Sequence, residues 1–331
     1  GQDGSYLAEF LINKNYEVHG LRRRSSIDNL SNLRNLNLVY QEKKKNIFLH
    51  YGDMTDSSNL NKIVSEVKPH EVYNLAAQSH VHLSFTIPEY TAEVNAMGCL
   101  RLLEVVKQHC PEAKFYQAST SELYGDCKQF PQNEKTPFNP CSPYSISKHY
   151  AFNIVKNFRE QGMFTCNGIL FNHESPRRST NFVTRKIVEG AVKIKLNKQK
   201  KLYLGNLYAK RDWGYAKEYV EAMWKMMQQK KPTDFVISTN KSYTVKYFAE
   251  KTFKKLNINL MWKGKGIKEQ GINKETGEIL IKIDPFYFRP KEVSLLKGNN
   301  LKAKKLLNWV PKTDIDELID LMVNHELKLH R

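Results

Sequence analysis

Four short apolar runs that close on polar residues punctuate the first half of the chain: YEVHGLR (16–22), IFLHYGDM (47–54), EVYNLAA (71–77) and KFYQAST (114–120). Between them lie segments whose apolar positions recur at helical spacing: GSYLAEFLINK (4–14), SSNLNKIVSEVK (57–68) and EVNAMGCLRLLEVVKQHC (93–110). In the last of these, Val94, Met97, Leu100, Val105 and Val106 approximate a single stripe. Strands and helices taking turns in this way are the sequence form of a parallel sheet covered by helices. The expectation is a Rossmann-type, doubly wound α/β fold, whose ligands lie beyond the carboxyl ends of the strands. ASTSELYG, residues 118–125, stands at such an end.

Past GILFNHESPRRS (168–179) the alternation loosens into basic loops, helical patterns such as EYVEAMWKMMQQK (218–230), a polar stretch over 264–274, and a closing helix around DELIDLMVNHEL (316–327). This division predicts a dinucleotide-binding domain from 1–175 and 206–238, with 176–205 and 239–331 as a smaller C-terminal lobe that binds substrate. At the front, GQDGSYLAEFL opens a helix on a Gly-x-x-Gly turn with nothing before it. A dinucleotide site needs a strand ahead of that turn, so that the helix N-terminus points at the pyrophosphate. The reading therefore expects the first strand, and one further glycine, to be missing from this chain.

Composition narrows the function classes. The 331 residues are 40% hydrophobic and contain no run of about eighteen apolar residues, which predicts a globular, soluble, cytoplasmic protein with no membrane contact. Five cysteines form no CxxC pair, so neither a disulfide framework nor a metal site is expected. The net charge of +18 raises nucleic acid as a partner. The basic runs at Arg22 to Arg24, Lys43 to Lys45, and Lys198, Lys200 and Lys201 are scattered, however, and no RNA-stacking signature accompanies them. The expectation is no nucleic acid, but arginines that serve a phosphorylated ligand.

The chemistry-bearing residues are more specific. Gly1 and Gly4 bracket a turn, and about twenty residues later Arg22, Arg23, Arg24, Ser25 and Ser26 stand where a 2′-phosphate would be read, which argues for NADP. Tyr144 and Lys148 are four apart, on one helical face, where an ammonium would favour a phenolate and lower the tyrosine pKa. Spacing alone carries little weight, since Tyr40 with Lys44, Tyr124 with Lys128, Tyr247 with Lys251 and Tyr287 with Lys291 share it. Tyr144 differs by opening a helix soon after the hydroxyl cluster at the end of a strand. Thr120 reads either as a helix cap or, with Tyr144, as a grip on an alcohol undergoing oxidation. Glu122 adds a carboxylate that a simple dehydrogenase does not need, suited to taking a proton from carbon and returning it to a leaving hydroxyl.

These segments, together with HGLRRRSS, LHYGDMTD, YNLAAQSHV, FYQASTSELYG, NFVTRKI, LGNLYAKRDWGYAKEYVEAMW and FRPKEV, resemble in order the GDP-mannose 4,6-dehydratase family, within the extended short-chain dehydrogenase/reductases. The resemblance implies a catalytic set of Thr120, Glu122, Tyr144 and Lys148. It implies NADP held by Gly1, Asp3, Gly4, Arg23, Arg24, Ser25, Ser26, Asp53, Met54, Leu75, Ala76, Ala77, Gln78, Ser79, Tyr90, Lys148, His173 and Arg178. GDP-mannose would meet Asn172, Asn181, Lys186, Arg211, Arg289 and Glu292, with guanidinium groups suited to diphosphate oxygens. The same resemblance implies a homo-oligomer, dimer or tetramer, and no metal. Two other readings stay open on the sequence: a related nucleotide-sugar 4-epimerase, which has no need of Glu122 as an acid, and a non-catalytic nucleotide-binding homologue.

Overall fold

The computed structural model describes residues 1–26, 30–34, 46–288 and 291–330. Strands run in chain order as β1 (Val18–Arg22), β2 (Ile47–Tyr51), β3 (Glu71–Asn74), β4 (Lys114–Thr120), β5 (Thr165–Leu170), β6 (Asn172–Glu174) and β7 (Leu202–Leu204). They continue as β8 (Lys210–Arg211), β9 (Trp213–Tyr215), β10 (Phe235–Ile237), β11 (Tyr243–Thr244), β12 (Leu260–Lys263), β13 (Gln270–Asn273) and β14 (Ile279–Ile283). The helices are α1 (Gln2–Ile12), α2 (Ser31–Arg34), α3 (Ser57–Val67), α4 (Val81–Ser84), α5 (Pro88–Ala92) and α6 (Gly98–His109). They are followed by α7 (Pro143–Glu160), α8 (Val183–Lys195), α9 (Ala216–Met227), α10 (Val245–Lys255), α11 (Leu301–Leu307) and α12 (Ile315–Leu329).

The first-half strands are all parallel, in the order β10-β5-β4-β3, with β1 and β2 paired to each other alone. β5 is buried along its whole length, as a central parallel strand with helices on both faces must be. One face carries α1 and α9, packed through Tyr6, Leu7, Leu11, Tyr219, Val220 and Met223. The other carries α3, α6 and α7, packed through Leu60, Val64, Leu103, Val106, Ala151 and Val155. This is the doubly wound sheet that the alternation predicts.

The sheet is interrupted at one place. Among the described residues β1 pairs only with β2, and β3 only with β4. Val18 and Gly20 of β1, Val72 and Asn74 of β3, Leu7, Ala8 and Leu11 of α1, and Leu60, Ile63 and Val64 of α3 line a common cavity. Apolar helix faces thus close both sides of a gap that lies between two strand edges, and unpaired strand edges are backbone groups awaiting a partner.

The second lobe has its own core, where α8, α10 and α12 cover β7 and β14 through Ile187, Ala191, Phe248, Phe253, Ile281, Ile319 and Met322. Its sheet, β12-β13-β14-β7, is antiparallel up to β14 and parallel at β7. The polar stretch over 264–274 therefore contains a strand, β13, whose Gly271 and Ile272 are buried although its neighbours Lys265, Lys268 and Lys274 are not. Ala303 and Leu307 of α11 and the nearby Trp309 bury against α9 and β10. No described helix is long and apolar enough to cross a membrane.

Candidate active site

The end of β4 and the start of α7 place the reacting groups. Thr120 is the last residue of β4, and its hydroxyl accepts from the Glu122 backbone N–H at 3.2 Å, capping the single 3₁₀ turn Ser121–Tyr124. That turn must then double back. Gly125 makes this possible with φ +51°, where an added Cβ would stand 1.7 Å from the Asn139 carbonyl oxygen. Opposite, α7 begins on Ser142 with a reciprocal capping box to Ser145 and Pro143 in the first turn, which satisfies the N–H groups there and fixes the direction of Tyr144. Ser84 of α4, wholly buried, accepts from the Tyr144 backbone N–H at 3.1 Å and donates to the Val81 carbonyl at 2.6 Å. Two elements distant in sequence thereby hold one tyrosine.

Thr120, Glu122, Tyr144 and Lys148 are each at least nine-tenths buried and line the cavity. The Tyr144 hydroxyl hydrogen-bonds with Thr120 and faces the Glu122 charge. Thr120 thus makes two contacts: its oxygen caps the turn and meets the tyrosine. The tyrosine pKa runs against the sequence expectation. Burial pushes it up to about 12, because desolvation outweighs the Thr120 hydrogen bond, and the Glu122 carboxylate adds to the rise. Lys148 does not offset this. Its ammonium donates to the Ala118 carbonyl at 3.0 Å, and burial lowers it to about 8.

A second layer fixes these groups, and sequence reasoning missed it. Asn95 sits in a π-turn (Glu93–Met97) that breaks the helical stripe before α6. Its side-chain oxygen accepts from the Gln78 N–H at 2.8 Å, and its amide donates to the Gln78 carbonyl at 3.0 Å and to Ser147 Oγ at 3.1 Å. One amide thus ties the loop after β3 to α7. π-turns concentrate at functional positions, but a periodicity reading smooths over a single extra residue.

At the other end of the cavity, α1 starts on Gly1 with no side-chain cap, and nothing lies within 4 Å of a Cβ built on Gly1 or Gly4. Free N–H groups, a helix dipole and open space suit a pyrophosphate. Asp3 and His173 form a half-buried pair there at 2.8 Å, with His173 Nδ1 2.8 Å from the Phe171 carbonyl. Burial alone would raise Asp3, but the charge and hydrogen bond of His173 hold it down at about 2. Burial alone would lower His173, but Asp3 and the Phe171 carbonyl raise it. With an acceptor at each ring nitrogen, the imidazole is held as the cation. Gln2 donates to the His173 carbonyl at 3.0 Å and accepts from Ser175 Oγ at 2.7 Å, so the helix N-terminus is pinned to β6 and the loop beyond it.

Of the residues expected around cofactor and sugar, Gly1, Asp3, Gly4, Arg23, Met54, Leu75, Ala76, Ala77, Ser79, Asn172, His173, Arg178, Asn181, Lys186, Arg211 and Glu292 line this cavity of about 2040 Å³. Arg24, Ser25, Ser26, Asp53, Gln78 and Tyr90 are not among its lining. Arg23 donates to the Tyr90 hydroxyl, Asp53 caps Thr55 at 3.0 Å, and Arg24 bonds the Ser25 carbonyl at 2.7 Å. Arg211 donates to Glu292 at 2.6 Å and to the Val293 carbonyl at 2.8 Å, which orients its guanidinium within the cavity wall. Arg289, Tyr40 and Lys43 to Lys45 lie outside the described residues. No metal-holding group of His, Cys, Asp and Glu occurs among the described residues.

Comparison with known proteins accords with this arrangement. The profile of the family described as GDP-mannose 4,6 dehydratase matches residues 1–322. The chain belongs to that family. It is 54% identical to the human GDP-mannose 4,6 dehydratase, covering 100% of this chain and 90% of that protein. It is 52% identical to the Drosophila melanogaster protein of the same name, covering 100% and 85% respectively. Among solved structures, the UDP-glucose 4-epimerase of Thermotoga maritima with UDP-glucose superposes with a TM-score of 0.80 at 26% identity, over 99% of this chain and 96% of that one. The dTDP-glucose 4,6-dehydratase of Bacillus anthracis in complex with NAD also gives 0.80, at 21% identity, over 98% and 93%, which shows the shared fold.

Proposed function

We propose that the chain converts GDP-mannose to GDP-4-keto-6-deoxymannose with loss of water, as a hydro-lyase with NADP as resident cofactor. Family membership over the length of the chain supports the substrate. The observation that carries the reaction is the meeting of Thr120, Glu122 and Tyr144 at one buried point, because the carboxylate is the group that dehydration needs and oxidation does not.

Bound NADP would supply the redox chemistry, a hydride taken up from sugar C4 and returned at C6 with no net change in the cofactor. Its grip falls to the N-terminus of α1, with Arg23 lining the cavity nearby. Tyr144 removes the proton of the 4-hydroxyl, and Thr120 hydrogen-bonds that same oxygen. With a hydroxyl pushed up to about 12, Tyr144 needs added positive charge, which a bound nicotinamide cation would provide, while Lys148 holds the end of β4 against α7 through the Ala118 carbonyl. The 4-ketone acidifies C5, Glu122 takes the C5 proton, and the 6-hydroxyl departs as water on receiving it. Reprotonation at C5, balanced by the proton that Tyr144 took from the 4-hydroxyl, completes the product and returns both side chains to their starting states. The protein acts as a cytoplasmic homo-oligomer, with exposed Ile146 and Tyr150 on α7 as the apolar face offered to a second copy.

Incubation with GDP-mannose and NADP, followed by mass spectrometry, tests this reading. The expected product has lost one water, with no net NADPH. A product of unchanged mass epimerised at C4 contradicts it.

A further inference from the structure

The run Phe286, Tyr287 and Phe288 is apolar enough to be read as core, yet its residues are 72%, 43% and 40% exposed. Phe286 and Tyr287 line the same cavity as the reacting groups. They sit on a short 3₁₀ turn (Pro285–Tyr287) capped by Asp284, whose side chain accepts from the Phe286 N–H at 3.0 Å. The Asp284 N–H in turn donates to the Leu204 carbonyl at 2.8 Å, which anchors the turn to β7. The backbone packs closely there. A Cβ on Gly205 would stand 2.7 Å from the Tyr287 carbonyl oxygen, so only glycine lets the two segments approach.

Three contacts give the aromatic pair its chemistry. The two rings meet edge to face, with centroids 5.4 Å apart. The Lys186 ammonium, from α8, rests over the Tyr287 ring, 3.1 Å from its centroid. From the other lobe, the ring of His82 on α4 stands 6.0 Å from that of Phe286. A held aromatic face, exposed to the cavity and covered by a lysine ammonium, is a platform for another flat π-system. A lysine beside it can serve a phosphate as readily as a ring.

We infer that Phe286 and Tyr287 form the wall on which the purine base of the nucleotide-sugar stacks, and that Lys186 passes from the Tyr287 ring to the diphosphate as the base arrives. The inference rests on the nucleotide-sugar reading above and adds the residues that recognise the base. One side chain thus reports base and phosphate together: the ring gives up its cation to the phosphate and takes the base in exchange.

Calorimetric titration of the intact protein with GDP, and separately with pyrophosphate, tests it. Tyr287→Ala is expected to weaken GDP binding about tenfold, the size of a lost base-aromatic stack, and to leave pyrophosphate binding unchanged. Phe286→Ala, at a position too exposed to carry the fold, is expected to weaken GDP in the same direction by a smaller factor. Tyr287→Phe, which keeps the ring, is expected to bind GDP within about twofold of wild type. Lys186→Met is expected to weaken GDP and pyrophosphate alike. GDP affinity unchanged in both alanine variants, or an equal loss of GDP and pyrophosphate in them, overturns the stacking wall while leaving the nucleotide-sugar reading intact. Wild-type protein that binds no GDP overturns that reading, and the inference with it.

Discussion

The two ends of the cavity are built to different standards. At the reacting end, strand, turn and helix cap one another: Thr120 closes the turn after β4, Ser142 and Ser145 close the start of α7, and Ser84 and Asn95 hold α7 from outside. At the nucleotide end, α1 presents its first backbone N–H groups beside Gly1 and Gly4, and among the described residues β1 and β3 do not pair with each other. Residues that must place a proton to within a fraction of an ångström need rigid support. Residues that hold a charged ligand through backbone N–H groups must stay open until it arrives. The reacting end is thus held by side-chain hydrogen bonds, whereas the nucleotide end presents backbone N–H groups.

The sharpest way to break the comparison is at the reacting end. Glu122→Gln is expected to cut product formation by about 10² to 10⁴, the range for one positioned acid-base group, with GDP and NADP binding nearly unchanged. Tyr144→Phe is expected to cost as much but to stop earlier, with no transient NADPH absorbance. NADPH accumulating in Tyr144→Phe, or near-normal turnover in Glu122→Gln, would dissolve the assigned roles.

A smaller effect separates fold from ligand. Gly4 lies inside α1 with open space around it, so Gly4→Ala is expected to stabilise the helix by about 1 kcal/mol. The added methyl faces the ligand space, so the same change is expected to weaken NADP severalfold. Thermal melting and titration on one sample check both signs, and tighter NADP binding would place the ligand elsewhere.

The smallest expected effect is in pH. Asp3, held at about 2, contributes stability that is complete above the ordinary carboxylate range near 4 and is lost as pH falls toward 2. His173, raised from 6.5, contributes stability that is complete below that value and is lost as pH climbs through its folded value. The advantage of wild type over His173→Gln in melting temperature is therefore expected to peak between about pH 4 and 6.5, at a few degrees. A difference that stays constant from pH 5 to 9 would mean that the imidazole is not charged in the fold.

Much of this was legible beforehand, for particular reasons. Parallel strands need β-branched and apolar runs, so β1 to β4 announced themselves, and KFYQAST matched β4 residue for residue. Tyr144 and Lys148 were legible as a pair because a helix repeats its face every four residues, but where the ammonium would point was not. The choice of the Ala118 carbonyl over the tyrosine depends on how deeply α7 sinks against β4, a tertiary fact. The same holds for Asn95, hidden in a π-turn, and for Phe286, whose exposure no apolarity scale anticipates. In the second lobe, β13 was lost in a polar stretch because a short strand with two buried residues among lysines carries almost no periodic signal.

The central claim, that one site oxidises C4 and reduces C6 of the same sugar, is tested most directly by GDP-mannose carrying deuterium at C4, incubated with the protein and NADP. The account requires product that has lost water and carries the label at C6. Label returned to C4 without loss of water, or label found in free NADPH, would contradict it.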